Sequence, residues 1–125
     1  MVKNTFKSDL GNVQVSDLAI AEMAALAALK ISGVSAMGTG SRVEGLADLL
    51  GLRAGSQGVS VEMGAGKVSL RLFLIVEFGA EIAEVSMQVQ DSVLEVVEQM
   101  TGLEVNAVDV TIQGVKFSGQ DRKNK

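Results

Sequence analysis

A two-layer α+β fold is what this 125-residue sequence predicts, and three observations carry the prediction. Two stretches, one near the start and one in the second half, place apolar residues at helical spacing. Between them lie two segments of alternating polarity joined by glycines, and a further alternating segment follows the second helix. The elements read β-α-β-β-α-β, with a glycine-rich insert after the first helix. Two helix-bearing units around a hairpin suggest a mixed sheet of three or four strands with both long helices on one face. The chain divides into an N-terminal arm (1–10), one domain (11–117) and a basic C-terminal tail (118–125).

The first strand is read at Asn12 to Val15, and Ser16 and Asp17 are candidates to cap the helix that follows. That helix runs from about Asp17 to Lys30. It is rich in alanine, which favours helix and leaves a slim surface for close packing. Ile20, Met23, Ala24, Ala27 and Ile31 mark its buried stripe. Gly33 stops it, and Val34 begins an extended piece. From Gly38 to Gly58 the composition turns to glycine and polar residues, except that Leu46, Leu49 and Leu50 fall at helical spacing. This reads as an insert (38–58) carrying one short helix. Val59 to Met63 and Val68 to Phe78 then form a β-hairpin through Gly64-Ala65-Gly66-Lys67, whose glycines permit a tight turn.

Glu81 to Thr101 is the second helix, with Ile82, Val85, Val89, Val93, Val96, Val97 and Met100 stepping by threes and fours along one face. Gly102 supplies its C-terminal cap and Leu103 packs back on it. In the last strand, Glu104 to Lys116, Val108, Val110 and Ile112 alternate with polar residues, whereas Val105 is out of phase. A bulge near Asn106 and Ala107 accounts for the difference.

Composition narrows the chemistry. The chain has no cysteine and no histidine, which removes thiol nucleophiles, serine-histidine hydrolysis and nearly all transition-metal sites. No cofactor is indicated, and the absence of disulfide chemistry suits a reducing compartment, so a cytoplasmic location is expected. The carboxylate pairs Glu81/Glu84 and Glu95/Glu98 sit one helical turn apart and read as a solvated helix face. Gly64-Ala65-Gly66-Lys67 lacks the first glycine of a phosphate-binding loop, since Val61 stands there, and Val68 replaces its Ser or Thr. Gly38-Thr39-Gly40 is followed by Val43 where a dinucleotide fingerprint needs its third glycine. No apolar run is long enough for a membrane span, so direct membrane insertion is not expected. Leu10 to Ser118 holds thirteen acidic and six basic residues, a net of −7, while the two ends together carry +3. An acidic body repels phosphate backbones, so nucleic acid is not an expected partner.

The strand Val68 to Phe78 supplies the candidate site. Val68, Leu70, Leu72, Leu74, Val76 and Phe78 form one apolar face, and Phe73 and Ile75 add apolar side chains to the other. With both helices on the first face, Phe73 and Ile75 become a candidate interaction surface, covered by a second copy, a partner or the insert.

Three stretches together carry a family resemblance: Gly11-Asn12-Val13-Gln14-Val15-Ser16, Ile31-Ser32-Gly33-Val34, and Val76-Glu77-Phe78-Gly79 leading to Gln99-Met100-Thr101-Gly102-Leu103-Glu104-Val105. The sequence resembles the alkaline shock protein family of bacteria (the Asp/Gls family) over about Gly11 to Val115, departing from its pattern at Ala83, where members commonly have proline. The resemblance implies a cytoplasmic protein of general and envelope stress without known catalytic activity, prone to self-assembly and in some members held near the membrane by a separate anchor protein. The alternative it leaves open is an accessory or regulator of lipid metabolism that binds an acyl ligand or an enzyme.

Overall fold

The computed structural model describes residues 5–39 and 58–117. Most of the insert, with its expected short helix, and the basic tail lie outside the described residues. The elements are β1 (Thr5–Ser8), β2 (Gly11–Gln14), α1 (Asp17–Leu29), β3 (Val34–Met37), β4 (Val59–Gly64), β5 (Lys67–Glu77), α2 (Ile82–Thr101) and β6 (Glu104–Lys116). The expected β-α-β-β-α-β series is present, with two further strands, β1 and β3. Residues 5–8 of the expected arm pair antiparallel with β2, from Thr5 opposite Gln14 to Ser8 opposite Gly11. The first strand of the series thus lies in a small ribbon of its own, separate from the main sheet.

Central to the main sheet is β5. On one side it pairs in parallel with β6, from Lys67 opposite Glu104 to Glu77 opposite Lys116, and α2 makes the crossover that parallel strands require. On its other side, β3 and β4 lie end to end, both antiparallel to it. β3 covers its second half, with Val34 opposite Val76 and Met37 opposite Leu74. β4 covers its first half, from Val59 opposite Leu72 to Gly64 opposite Lys67. They meet at Phe73, whose carbonyl accepts from the Gly38 N–H at 2.6 Å and whose N–H donates to the Gly58 carbonyl at 2.8 Å. In an unbroken antiparallel strand one residue would supply both groups. Here the position is split between two glycines, and four strands make three lanes.

The hairpin turn differs in detail from the expectation. Ala65 (φ 54°) and Gly66 (φ 77°) take the two left-handed positions, with Gly64 and Lys67 as the closing pair. Both central residues at positive φ define the turn whose twist matches the flanking strands. The bulge near Asn106 is present: Val105 pairs with Val68 and Ala107 with Ser69, leaving Asn106 out of the register. A second shift follows at Gln113, between Ile112 opposite Leu74 and Gly114 opposite Ile75.

Both helices pack on one face of this sheet. Val68, Leu70, Leu72, Leu74 and Val76 of β5 are almost wholly buried beneath Ile20, Ala24, Ala27 and Ala28 of α1 and Val85, Val89, Val93 and Val97 of α2. Alanine lets α1 approach both the sheet and α2, where Ser92 Oγ donates to the Ala27 carbonyl at 3.5 Å. Met23 and Ile31, expected within the stripe of α1, are only partly buried. Ile82 and Met100, expected on the buried face of α2, are 47% and 65% exposed. They occupy its first and last turns, where the packing against the sheet runs out.

The helix ends follow the sequence closely. Ser16 Oγ accepts from the Ala19 N–H at 3.0 Å. Gly102, at φ 76°, ends α2 and donates its N–H to the Glu98 carbonyl. Two side chains then secure the start of β6. Thr101 Oγ1 donates to the Val97 carbonyl at 2.6 Å and accepts from the Leu103 N–H at 3.0 Å. Glu98 Oε2 accepts from the Val105 N–H at 2.9 Å.

Candidate interaction surface

The face of the sheet turned away from the helices is built by the alternate residues of each strand. From β5 come Ser69, Arg71, Phe73 and Ile75. Their neighbours on β6, read from the register, are Ala107, Asp109, Thr111 and Gly114. On the other side Glu62 lies opposite Ser69, Ser60 opposite Arg71 and Ala36 opposite Ile75. An apolar middle around Phe73 and Ile75 is thus continued at one end by a polar stretch. There Ser60, Glu62, Ser69, Arg71 and Asp109 line a shallow depression of about 80 Å³.

Phe73 and Ile75 lie on the face that alternation assigned them, and both are half-buried. Part of the cover comes from β6. A Cβ built on Gly114 would stand 3.1 Å from Ile75 Cδ1, so this glycine leaves a notch that the Ile75 side chain fills. Gln113, put out of register by the second bulge, reaches across to the far lane, where its Oε1 accepts from the Thr39 N–H at 2.9 Å. The same oxygen lies directly against Gly38, where any Cβ would collide with it. Gln113 and Gly114 therefore belong to the surface, and sequence reasoning missed both. The signal available was Val115, which breaks phase with Ile112 just as Val105 does with Val108.

Two of the paired carboxylates have local roles. Glu84 Oε2 accepts from Gln88 Nε2 at 2.9 Å, and Glu98 holds β6 as described above. Among the described residues, no three carboxylates converge to hold a metal ion. No helix among the described residues is long and apolar enough to cross a membrane. Ala24, Ala27 and Ala28 of α1 share one buried core cluster with the inward residues of β5.

A solved structure of the MamM CTD in a nickel form matches 78% of this chain and 98% of its own at 9% identity, with a TM-score of 0.48. Among curated sequences, the chain is 31% identical over 113 residues to the uncharacterized protein YloU of Bacillus subtilis (strain 168), covering 90% of this chain and 94% of that protein. It is 28% identical over 108 residues to the uncharacterized protein YqhY of the same organism, covering 86% and 79%. A third relative, the uncharacterized protein Spy1614 of Streptococcus pyogenes serotype M6, is 29% identical over 112 residues, covering 89% and 93%. With residues 5–117 matched by its family model, the chain belongs to the alkaline shock protein 23 family, which has a cell envelope-related function.

Proposed function

We propose that this domain is a non-catalytic protein-binding module of envelope homeostasis and stress, acting in the cytoplasm by assembling with itself or docking on a membrane-anchored protein. The observation that carries the reading is the one-sided sheet. Both helices cover the face of Leu70, Leu72 and Leu74, while Phe73 and Ile75 stand on the opposite face. Two large apolar side chains there gain from burial against another chain, at about 25 cal/mol for each Å² removed from water. Arg71 and Asp109 at the edge of the patch supply the polar rim that gives such contacts their orientation. The reading joins this surface to the envelope-related function of the family.

The test combines sedimentation and thermal unfolding of a double variant, Phe73→Ser with Ile75→Thr. Weaker self-association or partner capture is expected, with a fold as cooperative as the parent's. A variant that unfolds while the assembly state stays that of the parent would assign both side chains to an intramolecular layer and remove the support for this reading.

A further inference from the structure

A second apolar surface lies where β5 and β6 end together. Phe78 and Phe117 follow the last paired residues, Glu77 and Lys116, and the Phe78 N–H donates to the Lys116 carbonyl at 2.9 Å. Their rings stack with centroids 4.7 Å apart and planes inclined by 28°. Stacking leaves them 67% and 64% exposed, so this pair belongs to the surface and not to the core. Val115, two residues before Phe117, is 48% exposed, and exposed Ile82 opens α2 nearby in sequence.

Phe78 also lines an open groove of about 480 Å³. Gly33, Ala80, Glu77, Glu81 and Glu84 line it as well. Gly33 is needed there: at φ 101°, its Cβ would lie 2.8 Å from Val85 Cγ2. None of the three carboxylates forms an ion pair among the described residues, and they do not converge as metal ligands. Lys116 stands in register with Glu77 one strand away, and the start of α2 adds a partial positive charge of about half a unit. Three carboxylates outweigh both, and the groove is acidic beside an aromatic pair.

We propose that this groove is a docking site for a cationic segment of a partner protein, distinct from the sheet face of Phe73 and Ile75. An arginine or lysine in it would find both the carboxylates and the Phe78 ring among the lining residues, so ion pairing and cation–π attraction can act on the same group. An apolar side chain next to that cation would cover the exposed Phe78–Phe117 pair. The charge pattern selects against acidic segments, and the aromatic pair selects against purely polar ones.

Fluorescence anisotropy with the full chain tests this, using a short labelled peptide that alternates arginine and leucine and a second that alternates glutamate and leucine. The arginine peptide is expected to bind saturably and the glutamate peptide not at all. Phe78→Ser with Phe117→Ser should weaken binding by about tenfold or more, as should the triple change Glu77→Gln, Glu81→Gln, Glu84→Gln. A control of equal charge change elsewhere, Glu22→Gln, Glu95→Gln, Glu104→Gln, should alter it by no more than about twofold, with salt screening both triples. Phe73→Ser with Ile75→Thr should leave it unchanged, which separates this site from the sheet face of those two residues. Equal loss in the control triple would overturn the proposal in favour of diffuse attraction to an acidic body. Binding of both peptides alike, or of neither, would overturn it as well. If the double phenylalanine variant unfolds, the rings belong to the core, and the proposal fails on that count too.

Discussion

Gly102 is the residue at which backbone conformation is most directly written in the sequence. At φ 76° it ends α2 in a left-handed conformation that a side chain resists, and a β-branched one resists most. Gly102→Val is expected to lower stability by about 1 kcal/mol or more, measured as a shift in the urea midpoint at constant slope. Ala65 is the opposite case, a side chain already standing at φ 54° where the hairpin favours asparagine or glycine. Ala65→Asn is expected to raise stability by about 0.5 kcal/mol, readable as a higher unfolding temperature. Glycine signals of this kind and the Ser16 cap were legible because they are local. Thr101 and Glu98 were not, since their bonds to Leu103 and Val105 depend on how the chain turns into β6.

Among the elements, α2 was the most legible because its valines repeat at helical spacing, and four of them, Val85, Val89, Val93 and Val97, are buried against the sheet. Val89→Asp would place an unpaired carboxylate in that layer, and a loss of several kcal/mol, enough to unfold a domain of this size, is expected by circular dichroism. Near-parental thermal stability would show that the helix turns another face to the sheet. The last strand was read in outline and with its first bulge, but its second shift at Gln113 went unseen. β3 was left as an extended piece for a physical reason: four residues show no period, and their partners lie some forty positions further on. β1 escaped for its shortness alone, since four residues show no period even though its partner β2 follows directly across the turn at Asp9 and Leu10.

For the whole molecule, the two-layer arrangement followed from element order and polarity, and it alone sufficed to place Phe73 and Ile75 opposite the helices. What it could not supply was the lateral neighbourhood, because the register of a parallel pair is not set by a turn and cannot be read along the chain. The notch at Gly114 and the reach of Gln113 to Thr39 both depend on that register. The split position opposite Phe73 makes the edge lane a socket. Joining Gly38 directly to Val59 would let one glycine supply both the N–H and the carbonyl that Phe73 now takes from two residues. Met37 opposite Leu74 and Val59 opposite Leu72 would keep their places, as the numbering across the junction requires. Such a shortened chain is expected to fold with an unfolding temperature no lower than the parent's, since excising a long excursion returns about 1–2 kcal/mol of closure entropy. A collapse of the cooperative transition would show that the excised residues carry the fold. If the lane heals, the junction between Gly38 and Val59 is a place where this sheet tolerates inserted sequence at a cost that grows only slowly with its length, without rewriting the strands around it.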